Sequence, residues 1–172
     1  MDIKEFLKQS AGKWFSQRTR YDLNGEKAEN NKSDLVIEIL SEGNPELVQF
    51  CQQNQLDPQL IILGKKISWD NSVDWGKTKD LGSAIVFFLL DSADLNRGKI
   101  MRSDNSQPPQ FIPGRYLFGE DEALTLIVET ETFSFEERIW FASTNLRLRT
   151  TVVKNDNGAS KTTFYSEIRR VS

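Results

Sequence analysis

ERIWFASTNLRLRT, residues 137 to 150, reads as the end of one strand, a Ser143-Thr144 turn and the start of another. Side chains alternate faces along a strand. Between residues 133 and 142, Phe133, Phe135, Glu137, Ile139 and Phe141 share one face, against Ser134, Glu136, Arg138 and Trp140. The carboxylate of Glu137 therefore stands in line with four apolar side chains. Between residues 145 and 154, Arg147, Arg149 and Thr151 oppose Leu146, Leu148, Thr150 and Val152. Hydropathy alone turns the leucines inward and leaves the arginines in water. The alternative is an interior that needs positive charge. Two arginines two residues apart project to one side, about 7 Å from each other. That spacing suits two carboxylates of one ligand, each held by a guanidinium fork. If buried, the arginines require a carboxylate partner, a part Glu137 can play while the site is empty.

Working outward, the strand signal repeats. Residues 2 to 9 carry Ile3, Phe6 and Leu7 at helical spacing. Residues 12 to 23 read as a strand with Trp14, Ser16, Arg18 and Arg20 on one face. Residues 24 to 32 are polar and read as a turn, followed by a strand over 33–40. Asn44 and Pro45 open a second helix, with Leu47, Val48, Phe50 and Cys51 as its apolar stripe. After the Asp57-Pro58 break, strands are predicted near 60–70, 82–90, 98–103, 113–118, 123–131, 133–142, 145–154 and 162–170. Residues 104 to 112 read as a loose loop. Many short strands joined by close turns predict one all-β domain over 1–172, an antiparallel barrel or a sandwich. A closed meander removes exposed edges and can hold one small ligand.

Composition narrows the chemistry. A chain of 172 residues buries roughly 70% of its unfolded surface, enough for a real core. With 22 Lys+Arg against 25 Asp+Glu, the net charge of -3 argues against a general nucleic-acid surface and leaves room for a local basic pocket. The single cysteine, Cys51, rules out an internal disulfide and a Cys-based zinc site, and its place on a helix stripe suits a buried hydrophobe. No histidine is present, which removes the commonest general base and most transition-metal sites; no metal is expected. The N-terminus lacks a signal-peptide pattern. The longest apolar run, residues 84 to 90, is too short to span a bilayer as a helix. A soluble, cytoplasmic protein without membrane insertion is expected.

Five blocks in order carry a resemblance: SAGKWFSQRT (10–19), ISWD (67–70), GRYLFG with ALTLIVETET (114–132), EERIWFASTNLRLRT (136–150) and SEIRR (166–170). Together they resemble the S-type phycobiliprotein lyases, the CpcS/CpeS/CpcU family, nearly end to end. The resemblance implies a lipocalin-like (calycin), ten-stranded antiparallel β-barrel with an N-terminal helix, Gly12-Lys13-Trp14 matching the G-x-W that opens such barrels. It implies binding of an open-chain tetrapyrrole, phycocyanobilin or a related bilin. The pigment is passed to a cysteine of an apo-phycocyanin, allophycocyanin or phycoerythrin subunit, in cyanobacterial cytoplasm or plastid stroma. The bilin is substrate, so no separate cofactor is expected.

The same resemblance turns the arginines inward. Arg147 and Arg149 are then expected to clamp the two propionates, with Arg18 as a third contact and Trp69 and Trp75 as aromatic wall. Thiol addition to ring A needs a proton delivered to the bilin; Glu137 is the first candidate acid and Glu136 the second. Trp14 is expected to plug the barrel. Arg20-Tyr21-Asp22 replaces the His-His pair of many members, a change typical of the U-type partner, which points to a heterodimer with an S-type subunit beside a homodimer or a chain acting alone. Two rival functions remain at this level: a non-catalytic bilin-binding chaperone, and a carrier of a fatty-acid-like ligand.

Overall fold

A computed structural model describes residues 1–23, 25, 27–104 and 106–171. Two helices and ten strands appear in the order α1 (Ile3–Ser10), β1 (Gly12–Asp22), β2 (Ala28–Leu40), α2 (Pro45–Asn54), β3 (Ile61–Asp70), β4 (Leu81–Leu90), β5 (Arg97–Ser103), β6 (Phe111–Phe118), β7 (Leu124–Glu129), β8 (Phe133–Ser143), β9 (Leu146–Asn155) and β10 (Ser160–Arg169). Each strand pairs antiparallel with its sequence neighbours, and β1 pairs with β10, which closes the sheet into a barrel. Closure decides between the barrel and the sandwich.

The helices do different jobs. α1 starts at Asp2, whose carboxylate accepts from the Glu5 amide while Glu5 reaches back to the Asp2 amide. Its Ile3, Phe6 and Leu7 are wholly buried and join Phe88, Ile100, Leu124 and Ile139 in the core at one end of the barrel. Trp14 seals the same end: its indole N–H donates to the Ser10 carbonyl at 2.9 Å. Arg169 lies over the Trp14 ring at 4.2 Å and donates to the Gln9 and Ala11 carbonyls, satisfying the orphan acceptors of the helix end. α2, capped by Asn44, packs on the outside of β4, where Phe50 stacks on Phe87 at 4.0 Å. This explains the unalternating run in β4: Val86 and Phe88 fill the barrel, while Phe87 and Leu89 lie under α2 with Cys51.

Two sequence expectations need correction. The turn expected over 24–32 is shorter, because β2 begins at Ala28. Asn30, Asn31 and Lys32 pair with Thr19, Arg18 and Gln17 on β1, so a polar stretch becomes strand through its partner rather than its own pattern. Residues 24 and 26 of that turn lie outside the described ones. Likewise β6 starts at Phe111, inside the loop expected over 104–112, whose residue 105 lies outside the described ones.

Candidate functional site

Because the barrel is sealed at the α1 end, residues two apart on each inward face step from floor to mouth. On β1 the steps are Trp14, Ser16, Arg18, Arg20; on β9, Arg147, Arg149, Thr151, Val153. Above the floor lies a cavity of about 510 Å³, within the range of small-molecule sites. Its wall carries six cationic side chains, Arg18, Arg20, Lys65, Arg102, Arg149 and Lys161, against two carboxylates, Asp80 and Glu137. A chain with a net charge of -3 has thus concentrated positive charge inside. Apolar surface alternates with it, from Leu35, Ile67, Val86, Leu126 and Phe135.

The deepest polar layer is an ion-pair cluster. Arg149 donates from Nε and Nη2 to both oxygens of Glu167, at 3.0 Å each, and from Nη1 to Glu137 Oε2 at 3.2 Å. Its guanidinium lies over the Tyr165 ring at 3.8 Å. Glu167 is wholly buried and faces Arg147 across the β9–β10 pair. Burial pushes the Glu167 carboxyl up, but Arg149 and Arg147, with a hydrogen bond from Ser16, outweigh it and hold it below the usual range. Glu137 behaves alike: burial acts upward, and Arg149, Lys65, Arg102 and Arg147 pull it down further. Both are therefore held as carboxylates.

Arg147 is different. It is wholly buried, its Nη1 is 3.5 Å from Glu167 Oε1, and none of its three side-chain nitrogens makes a hydrogen bond among the described residues. Burial pulls its pKa down to about 10 despite Glu167. Lys65 also faces inward, 2% exposed, and burial, with Arg147 as the next cause, lowers its pKa to about 7.

The sequence candidates separate accordingly. Arg18, Trp69, Glu137 and Arg149 line the cavity. Arg18 reaches Asp80 at 4.0 Å and keeps a buried Nε without a hydrogen-bond partner among the described residues. Trp69 lies flat over Gly82 of β4, where an added Cβ would sit 2.4 Å from the ring, and donates to Asp80. Arg147 faces inward but lies beneath the cavity and forms none of its wall, unlike the clamp position expected for it. Glu136 points outward and is exposed, because the strand alternation that buries Glu137 must expose its neighbour. Trp75 is 91% exposed on the β3–β4 loop and forms none of the cavity wall. That loop is nonetheless pinned beside the mouth: the Lys32 N–H donates to the Asp74 carboxylate, and the Asp80 N–H donates to Asn71 Oδ1. Trp14 is the buried plug expected, and Trp140 lies on the outer face.

Comparison with known proteins gives this cavity a context. The family model described as CpeS-like protein matches residues 2–170. The chain belongs to the CpeS-like family. It is 44% identical to the chromophore lyase CpcS/CpeS of Thermosynechococcus vestitus over 98% of this chain and 93% of that one. It is 33% identical to the phycocyanobilin lyase subunit CpcS of Picosynechococcus sp., over 98% and 86% of the two chains. Among solved structures, the S-type phycobiliprotein lyase CPES from Guillardia theta matches with a TM-score of 0.84 at 25% identity, covering 100% of this chain and 94% of that one. The ten-stranded, lipocalin-like barrel is therefore the fold of this family.

Glu167, Lys65 and Arg102 escaped the sequence reading. Glu167 sits in the quoted SEIRR block and is in phase with Thr163 and Tyr165, a signal that was readable. Lys65 was hidden by Lys66: of two adjacent lysines one must point in, and the outer one pairs with Glu46 at 3.0 Å. Arg102 lies on a strand too short to show an alternation.

Proposed function

We propose that this chain is a bilin lyase, binding an open-chain tetrapyrrole in the barrel and promoting its thioether attachment to a cysteine of an apo-phycobiliprotein. The observation that carries this reading is the cationic cavity with apolar walls in a chain of the CpeS-like family. A tetrapyrrole with two propionates offers flat apolar rings and two carboxylates, and the cavity offers surfaces of both kinds. A fatty-acid-like ligand has one carboxylate and would leave most of the six cations without a partner.

Arg18 and Trp69 serve as binding contacts in this reading, and Trp75 covers the open end of the ligand from its loop. Arg149 engages a propionate by giving up the Nη1 bond to Glu137. Release from that guanidinium lets the Glu137 carboxyl rise toward protonation. Glu137 then stands beside the bilin as the acid that delivers a proton while sulfur bonds to ring A. Overall one S–H bond and one π bond are lost, and one C–S and one C–H bond form. The attacking thiol belongs to the client, since Cys51 is buried on the inner face of α2 and burial raises its pKa. Holding the pigment in one conformer directs addition to one carbon and one face. No further cofactor takes part.

The test is reconstitution. The chain, phycocyanobilin and an apo-phycocyanin or allophycocyanin subunit, with and without an S-type partner subunit, are expected to give pigment that stays on the client through denaturing electrophoresis. No covalent product from any client, with the partner present, would overturn the reading. Tight pigment binding without transfer under all those conditions would leave a bilin chaperone instead.

A further inference from the structure

Lys65 and Arg102 sit in one row of the barrel wall. Lys65 on β3 pairs with Val86 on β4, and Val86 pairs with Arg102 on β5. Two strand spacings separate their backbones, about 10 Å, which two long side chains bridge with ease. β4 lies five strands from β9 around the ten-stranded barrel, so this row faces the Arg149–Glu137–Glu167 cluster across the cavity. Both cations line the cavity. Among the described residues, no carboxylate lies within ion-pair distance of either. The Arg102 guanidinium lies over the Phe135 ring at 4.2 Å, a stacking that leaves its edge of donors for another partner. Two cations this close repel each other, and a fold keeps such a pair only with a compensating anion or at a cost in stability.

We propose that Lys65 and Arg102 form a carboxylate-binding pair that receives one propionate of the bilin, on the wall opposite Arg149. This rests on the bilin reading given above and extends it. The ligand is then gripped from two sides, Arg18 and Arg149 on one and Lys65 and Arg102 on the other, and cannot slide along the barrel axis. A second consequence concerns protons. The charged groups facing Lys65 are Arg147 and Arg149 from β9, Glu137 from β8 and Arg102 from β5, while its register neighbours Ile39 on β2 and Val86 on β4 are apolar. Cations outnumber carboxylates around the amine, and burial together with them lowers its pKa to about 7. An arriving carboxylate raises it. Binding therefore takes up a proton above neutral pH, and affinity falls as pH rises.

The experiment titrates the full chain with phycocyanobilin and with its dimethyl ester, following visible absorption at several pH values. For the free acid, Lys65→Met and Arg102→Gln are each expected to lose about tenfold or more in affinity, and wild-type affinity is expected to fall between about pH 6.5 and about pH 8.5, the range over which the Lys65 amine loses its proton. For the ester, all three proteins are expected to bind alike, with little pH dependence. Lys65→Arg keeps the charge, so it is expected to retain free-acid affinity and lose the pH dependence; it also guards against a variant that fails only by misfolding. Equal losses for acid and ester would make the two residues packing elements and overturn the proposal. So would unchanged free-acid affinity in both variants. Absence of any pigment binding by the wild type would instead overturn the bilin reading itself, and this proposal with it.

Discussion

On the β8–β9–β10 wall, each buried cation has a carboxylate: Arg149 holds Glu167 and Glu137, and Arg147 stands 3.5 Å from Glu167. On the facing β3–β4–β5 wall, Lys65 and Arg102 have none among the described residues. The two walls share one cavity and one sign of excess charge, yet they are solved differently. Where charges are paired within the chain, the arrangement holds shape without a ligand, and removing one member strands the other. Where no carboxylate stands at ion-pair distance, the chain accepts a cost that Glu137 offsets only in part and that a bound anion would offset further. The paired wall holds its own shape and offers Arg149 from within it; the facing wall offers cations that no carboxylate of the chain holds at ion-pair distance among the described residues.

The largest effect should come from breaking the paired wall. Glu167→Ala leaves Arg147 wholly buried without its nearest carboxylate and takes two of the three bonds of Arg149 at once. A loss of about 3–5 kcal/mol in urea unfolding is expected, and a loss under about 1 kcal/mol would mean that the cluster is not structural. The facing wall should respond with the opposite sign. Lys65→Met removes a buried amine without a partner and should stabilise the empty protein by about 2 kcal/mol near neutral pH. The sign with pH follows from the direction of the shift. The folded pKa, about 7, lies below the 10.5 of an ordinary lysine, so the unfolded chain binds more protons between those values and the cost of Lys65 shrinks as pH rises. The stability gap between Lys65→Met and wild type should be widest below pH 7 and close as pH rises toward about 10.

Smaller effects sharpen the contrast. Gly82→Ala puts a methyl group into the Trp69 ring and should cost about 1–2 kcal/mol, with a change in tryptophan fluorescence as the indole is displaced. Glu136→Gln, on the outer face, should change stability by less than about 0.5 kcal/mol and leave pigment affinity alone. A clear loss of affinity in that variant would show that the outer face takes part.

The barrel was legible because its strands announce themselves. The eight strand ranges predicted after Asp57 coincide with observed strands to within a few residues, since each alternates between two faces and ends at a turn. The failures lie where partners decide. β2 begins in polar sequence that only its pairing with β1 makes extended. The arginines of β9 could not be turned by hydropathy, because Leu146 and Leu148 end half-buried on the outer face while Arg147 and Arg149 face in. The five family blocks turned them correctly. What neither pattern nor family blocks supplied was depth. Arg147 and Arg149 look equivalent in sequence, but one step along a strand that runs from floor to mouth puts the first below the cavity and the second on its wall. Glu136 and Glu137 differ by one residue and therefore by a whole face. The two lysines of β3 differ by a face in the same way: only the inward Lys65 shares a row with Arg102.

The most direct test sets the two walls against each other in one measurement. Lys65→Met and Arg147→Met each remove one cationic side chain and substitute an unbranched apolar one, the first on the cavity wall and the second beneath it. Phycocyanobilin affinity is to be measured for both at a temperature where each is fully folded. Lys65→Met should bind about tenfold more weakly than wild type or worse, and Arg147→Met should bind within about twofold of it. The reverse order, with Arg147→Met losing the pigment and Lys65→Met keeping it, would contradict the account.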